Sequence, residues 1–554
     1  MKTKIYAFAV LIFNCTALCG QAPGWEWAKS QPGNGNDIPN GIATDADGNS
    51  YITGSFSSST LTFGTTVLTN PWPGKEDVFV AKYDASGNVV WAKRFGANGY
   101  DYGNAVAVDT NGNLYVTGTF RSLHVHFDNI ILTNAYSSTD DIFIAKFDTL
   151  GNVIWAKSAG APAYGYDLSY GITADANGNS YITGYFSGIE IHFDSITLVA
   201  TGLFDFFIAK YDSSGNVQWA KTVVNSGFII GNSIAVDANG NVYATGDFDG
   251  SVTFGSTPLG STGYNDVFVV KYDSSGNVLW AKQGGGGHDD NGQSITVDAN
   301  GNSYITGHFG INGSNFGGVI LTGTLYGGGL FVAKYDSSGN VPWATTPGGN
   351  GYGDIGKGIK ADPNGNLYVT GHFSSDTLIF GNSTLINVNG NSIIFDIFIA
   401  KYDSSGNALW AKNPLGQGSE YGHGVDIDAS GNCYITGYLQ GQGVVFGTTT
   451  LSPIGGAELF IAKTGINTGI TEENNLPGEY TFTIFPNPGN GETKISYPGI
   501  INEINIRNVT GQIIYTAKPV DRTVFLKLNE NAGIYFVTVR SGDSVVTRKW
   551  VLER

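Results

Sequence analysis

Seven copies of a strand pattern, a repeat period above sixty residues with strand signals only, and an orphan strand near the N-terminus predict an all-β chain. The architecture they point to is a seven-bladed β-propeller, its N-terminal strand closing the last blade, followed by a small β-sandwich. The pattern is clearest at residues 77–93, D-V-F-V-A-K-Y-D-A-S-G-N-V-V-W-A-K. β-Branched and aromatic residues fill 77–84, Gly87 supplies the turn, and 89–93 resumes the strand. The unit returns at 141–157, 205–221, 266–282 and 396–412, and in weaker form at 330–344. The anchor tryptophans are Trp27, Trp91, Trp155, Trp219, Trp280, Trp343 and Trp410. Their separations, by subtraction, are 64, 64, 64, 61, 63 and 67 residues, too long and too strand-rich for a helical solenoid.

In chain order, residues 1–22 read as a signal peptide. Lys2 and Lys4 precede an apolar run at 5–13, and small residues near Gly20 and Ala22 suit cleavage. A W-A-K strand at 25–29 follows, with no D-x-F-x-A-K strand before it. Each repeat then has four strands. Strand one begins at Ile42, Val106, Ile172, Ile234, Ile295, Ile359 or Val425. Strand two is Y-x-T-G-x-F from Tyr51, Tyr115, Tyr181, Tyr243, Tyr304, Tyr368 or Tyr434. Strand three is D-x-F-x-A-K-Y-D, and strand four carries W-A-K. The seventh strand three, 458–463, runs into Thr464-Gly465 without a W-A-K strand, so the strand at 25–29 is expected to complete that blade. The propeller is therefore bounded at 23–463. A polar linker at 464–478 and short strand-like runs at 479–554 spaced near ten residues complete the chain.

These motifs resemble the bacterial β-propeller repeat family called SBBP. D-A-N-G-N-x-Y-x-T-G and D-x-F-x-A-K-Y-D-S-S-G-N-V-x-W-A-K carry the likeness across all seven copies. The family has no single activity, so the resemblance implies fold alone. The tail is similar to the type A C-terminal sorting domain of the type IX (Por) secretion system. F-P-N-P (485–488), V-T-G-Q (509–512), G-I-Y-F-V-T-V (533–539) and Arg548-Lys549-Trp550 carry that likeness. It implies partnership with the type IX machinery through 479–554 and a secreted or outer-membrane-surface location.

Composition narrows the function. The 554 residues carry a net charge of −17, which gives no electrostatic footprint for nucleic acid or anionic lipid. No later stretch is long and apolar enough for a transmembrane helix, so the chain is not expected to span a membrane. Cys15 and Cys19 fall within the expected leader. Cys433 alone remains and cannot form an internal disulfide.

Several residues invite a functional reading. The D-x-[DN]-G-N turns suggest calcium through alternating carboxylates and amides, but ordinary turn chemistry accounts for them, and no cofactor or metal is expected. Acids stand three residues ahead of the polar residue that opens strand one: Asp37, Asp101, Asp167, Asp290, Asp354 and Glu420, with Ile229 in the fourth repeat. With strand one innermost they would ring the channel mouth. They would either attract a cation or bond backbone N–H groups to turn the chain. The opening residues themselves are Asn40, Asn104, Tyr170, Asn232, Gln293, Lys357 and His423, and Lys357 and His423 break the repeat. Trp72, Tyr102, Tyr166, Tyr352 and Tyr421 lie on or beside variable connections, where aromatic rings can stack on sugars. No nucleophile elbow, zinc helix or P-loop occurs. The function expected is binding of an extracellular glycan or protein. The alternatives are a structural or adhesive surface component, or a lyase or hydrolase using mouth carboxylates.

Overall fold

A computed structural model describes residues 22–136, 139–162, 164–323, 328–351, 353–387 and 394–465, then 483–485, 492–508, 512–528, 530–531, 533–541 and 544–552. The expected leader up to residue 21, nearly all of the 464–478 segment and Tyr352 lie outside the described residues. The chain divides into two compact units, Met1–Ile466 and Asn467–Arg554. All their described regular structure is β-strand.

The first sheet of unit one runs Asp37–Thr44, Ser50–Phe56, Asp77–Tyr83, Val89–Phe95, in spatial as in sequence order. Its strands pair antiparallel. Six further sheets repeat this meander, opening with Asp101–Val108, Asp167–Ala174, Phe228–Val236, Asn291–Val297, Ile355–Ala361 and Ser419–Ile427. The fourth sheet also bonds the short hairpin Ser314–Phe316 and Val319–Leu321. In the last sheet the fourth position is held by Trp25–Ser30, with Trp27 opposite Lys463 and Ala28 opposite Ala462. That is the register of Trp91 on Lys82 and Ala92 on Ala81 in the first sheet. Each first strand packs on the first strand of the next sheet, and Ser419–Ile427 packs on Asp37–Thr44.

Packing explains why these strands read as they do. Ser50–Phe56 and Asp77–Tyr83 are buried along their whole lengths, because neighbouring sheets cover both faces. Their sequences therefore show no alternation of apolar and exposed polar residues, and even Asp77 and Lys82 are buried. Fourth strands are half exposed, which tolerates Pro342 at the cost of shortening that strand to Trp343–Thr345. In the Y-x-T-G-x-F strands, each threonine donates to a strand-three carbonyl, as Thr53 does to Phe79 at 2.9 Å. The following glycine permits close approach: a Cβ on Gly118 would lie 1.9 Å from the Tyr102 carbonyl oxygen.

Three contacts tie sheet to sheet. Trp27 Nε1 donates to the Ala85 carbonyl (3.2 Å) while its ring covers Gly87, whose φ is +79°. Trp91, Trp155, Trp219, Trp280 and Trp343 repeat the contact on the next turn. Strand-two tyrosines donate across the boundary as well, as Tyr115 does to Gly178 and Tyr434 to Gly48. The strand-three lysine lies over the tyrosine ring of its own sheet, from Lys82 on Tyr51 to Lys463 on Tyr434. It reaches the next turn in several sheets, as Lys146 Nζ does in donating to the Ser213 carbonyl at 3.3 Å.

The second unit has seven described strands in two sheets. One orders Thr483–Phe485, Glu492–Ile501, Asp521–Lys527; the other orders Ile513–Ala517, Glu503–Asn508, Gly533–Ser541, Ser544–Leu552. Ile495 and Leu526 of the first sheet and Ile504, Val537 and Trp550 of the second share one core.

Carboxyls at the sheet boundaries set a pH dependence. Asp37 faces Glu458, Asp77 faces Asp101, Asp141 faces Asp167, and Asp266 faces Asp290. Burial pushes Asp37 and Asp77 up to about 6, and Asp141 and Asp266 up to about 7. Such groups stabilise the fold when protonated. Their contribution is complete below the unfolded value near 3.8 and is lost as pH rises through the folded value. The turn aspartates act oppositely. In Asp84 and Asp148 the upward pull of burial, the largest single effect, is outweighed by the hydrogen bonds from Asn88 and Asn152 and from turn N–H groups taken together, so both sit below the usual value. That stabilisation exists at higher pH and is lost as pH falls through the folded value. Thermal unfolding should therefore rise in midpoint as pH falls from about 8 to about 5, then drop below about 4. A midpoint that falls steadily from pH 8 downward contradicts this assignment.

Candidate functional site

The site is built by one irregularity repeated seven times. In every first strand the ladder slips by one residue, between Pro39 and Gly41, Gly103 and Ala105, Ser169 and Gly171, and at the four equivalent places. The skipped residues are Asn40, Asn104, Tyr170, Asn232, Gln293, Lys357 and His423. A β-bulge re-aims the unpaired residue. All seven side chains accordingly line one cavity of about 490 Å³, together with Ile230, Asp247 and Asn291. Deeper in, the channel is lined by the first strands of all seven sheets.

Most bulge residues also latch one sheet to the next. Asn40 Nδ2 donates to the Gly103 carbonyl at 2.9 Å, Asn104 to Ser169 at 2.9 Å and Asn232 to Gly292 at 3.0 Å. His423 Nδ1 bonds the Pro39 carbonyl at 2.9 Å, linking the last sheet to the first. The chemistry around the mouth is lopsided. The residue after T-G in strand two contributes His308 and His372 near Lys357, and Tyr438 against His423. Burial pulls His308 and His423 down to about 4 and His372 down to about 3, so all three imidazoles stay neutral at pH 7. Burial also lowers Lys357. Asp247, on the fourth sheet, is pushed up to about 6 by burial.

The six acids expected around the mouth are not there. Asp101, Asp167, Asp290 and Glu420 are 0% exposed, and Asp37 and Asp354 are also buried. The bulge residue turns to the axis, whereas the acid three residues earlier is buried away from the cavity. Asp37 Oδ2 and Asp101 Oδ2 each accept a 2.6 Å bond from Ser58 and Ser122, and Asp354 accepts one from Ser375. Asp101 also takes the N–H groups of Ala97, Arg121 and Ser122. Asp37, Asp101, Asp167, Asp290 and Asp354 staple connecting loops to strand one, whereas Glu420 lies against Asp396 and is pushed up by burial. Ile229, in the fourth sheet, fills the same buried place without a carboxylate.

The aromatic candidates fall into two groups. Tyr102 and Tyr166 share a cluster with Tyr100, Tyr164, Lys75 and Arg121. Lys75 lies 3.8 Å from the Tyr100 ring, and Arg121 stands near both Tyr100 and Tyr166. Arg121 is held by Asp140 at 2.6 Å, and the Tyr164 and Tyr166 hydroxyls meet at 2.7 Å. Tyr421 belongs to a second group, stacked on Tyr438 at 4.6 Å with His372 and Phe395 at its edges. Trp72 is 52% exposed on its loop. The repeat pattern marked the opening residues; it gave no sign of Arg121 or of the bulge, because a bulge depends on strand pairing.

The D-x-x-G-N turns spend their carboxylates internally. Asp45 Oδ1 accepts the Asp47 and Asn49 N–H groups, and Oδ2 accepts Asn49 Nδ2 (2.8 Å) and the Tyr51 hydroxyl. A depression of about 710 Å³ opens over the turns at 298–302, 362–366 and 428–432, whose aspartates are engaged in the same way.

Family models match parts of both units. The β-propeller repeat family SBBP matches at 32–55, 90–119, 279–317 and 343–372, and a secretion system C-terminal sorting domain matches at 483–553. That domain marks proteins exported by type IX secretion, so the chain is secreted or held at the cell surface. An uncharacterized WD repeat-containing protein of Acanthamoeba polyphaga mimivirus is 28% identical over 451 residues, 66% of this chain and 31% of that protein. The chain spans under a third of the length of the curated relatives it matches. Among solved structures, YCF48 shares 8% identity over 80% of this chain and 97% of that one, with a TM-score of 0.35. PorZ of Porphyromonas gingivalis, a surface component of the type-IX secretion system, shares 11% over 95% and 100%, with a TM-score of 0.17.

The latches make a direct prediction. Asn40→Ala and Asn104→Ala should each cost about 1 kcal/mol of stability by removing one intersheet hydrogen bond. Exposed Asn315→Ala, on the short outer hairpin, should cost less. Equal midpoints for all three variants in thermal denaturation would show that the bulge amides latch nothing.

Proposed function

We propose that the chain is a seven-bladed propeller, closed by its N-terminal strand, that binds an extracellular glycan or protein through its variable connections. In this reading residues 1–22 are a leader, 23–463 the propeller, 464–478 a linker and 479–554 a sandwich-like sorting domain that engages the type IX machinery. No cofactor or metal is assigned.

One observation carries the reading: the cluster of Tyr100, Tyr102, Arg121, Tyr164 and Tyr166 on connections that differ from sheet to sheet. Tyrosine faces and an arginine held by Asp140 suit sugar rings or a protein surface at low entropic cost. The opposite end, made of near-identical turns with engaged carboxylates, offers little chemical variety. Trp72, Tyr102, Tyr166, Tyr352, Tyr421, Lys357 and His423 are the ligand-contacting candidates.

A glycan array and a protein-capture screen with the purified chain would identify the ligand. Alanine at Trp72, Tyr102, Tyr166 or Tyr352 should then weaken binding by tenfold or so, about 1.4 kcal/mol each. Alanine at Asn88 or Asn152 should alter stability only. Binding that is lost in the folded turn variants and kept in the aromatic ones would reverse the assignment of faces.

A further inference from the structure

An unbroken chain of side-chain hydrogen bonds follows the channel wall from the sixth sheet to the fourth. Lys357 Nζ donates to Gln293 Oε1 at 2.9 Å, and Gln293 Nε2 donates to Asn291 Oδ1. Asn232 Nδ2 stands 3.3 Å from Asn291 Oδ1 and donates to Asp247 Oδ1 at 2.9 Å. Asn291 bonds Asp247 too. The amides thus turn their N–H groups toward the carboxylate and their oxygens toward the ammonium.

The two ends differ. Asp247 has amide donors for its charge. Among the described residues Lys357 has one neutral acceptor for three N–H groups and forms no ion pair. The charged and titratable groups around it are His308, His372 and His423, with Asp289 beside His308 and Asp247 at the far end of the chain. A partly buried cation with no anion pays its desolvation cost unrewarded. His372, 6% exposed, likewise has no partner for its Nδ1 among the described residues. Both Lys357 and His423 open onto the cavity of about 490 Å³, a volume in the range of small-molecule sites.

We propose that the channel mouth binds a small organic carboxylate, its anionic group against Lys357 Nζ and its polar groups against Asn40, Asn104 and Tyr170 across the cavity. Of the ligand-contacting candidates named above, only Lys357 and His423 line this cavity, and the proposal does not depend on the aromatic connections. A carboxylate reaches such a mouth as a uronic acid or as a peptide C-terminus.

Isothermal titration of the full chain with D-glucuronate and N-acetylalanine, against D-glucose and N-acetylalanine amide, tests it. At least one acid should bind in about the millimolar range, and neither neutral analogue should. Binding of the uronate alone, or of the acetylated residue alone, identifies the source. Lys357→Met should weaken the bound acid at least tenfold, Lys357→Arg should retain it, and Asp247→Asn should tighten it severalfold. If Lys357→Met does not fold, Lys357→Gln supplies the same comparison. Equal affinity in wild type and the charge-removed variant overturns the proposal, as does no binding of either acid at about 50 mM. Weaker binding in folded Asp247→Asn also overturns it.

Discussion

The indole of one sheet resting on the turn glycine of the next recurs six times, and the arrangement of the first unit depends on it. Each contact joins a fourth strand to the neighbouring three–four turn, with an Nε1 hydrogen bond to a turn carbonyl. It places sheets at a constant spacing and leaves no side chain at the ring glycine free to vary. Among the described residues Trp410 meets no such turn, the last third strand being Glu458–Thr464. There Lys412 donates to the Pro23 carbonyl and lies over Trp25, so the stretch just ahead of the strand Trp25–Ser30 occupies that side.

With outer strands fixed in this way, the inner strands can afford an irregularity. The bulge in each first strand breaks the ladder once and turns one residue to the axis. Where that residue is asparagine it mostly serves the scaffold, bonding the neighbouring sheet. Where the repeat is broken, at Tyr170, Gln293, Lys357 and His423, the same backbone device delivers different chemistry to the same ring. A repetitive scaffold thereby acquires one lopsided mouth, with neutral imidazoles and a cation on one side and a carboxylate on another.

Much of this was legible in the sequence. Alternating strand and turn signals gave the all-β class, and the D-x-x-G-N turns fall where their spacing puts them. The repeat also marked Lys357 and His423 as departures from symmetry. The acids were misplaced because position in sequence does not reveal a register slip. Three residues ahead of the bulge, Asp37 and Asp101 lie in the regular ladder opposite Phe56 and Phe120, and burial with serine partners follows. Arg121 was invisible for another reason: its importance comes from Tyr100, Tyr166 and Asp140, which different connections supply. Such meetings between connections leave no periodic trace.

The proposed closure of the ring rests on the strand Trp25–Ser30, which holds the fourth place in the last sheet. Its most direct test removes residues 25–29 from the full chain and follows thermal unfolding and size-exclusion behaviour. Closure predicts an exposed edge at Glu458–Thr464, a midpoint lower by roughly 5 °C or more, and association through that edge. A truncated chain that stays monomeric with the wild-type midpoint would contradict it.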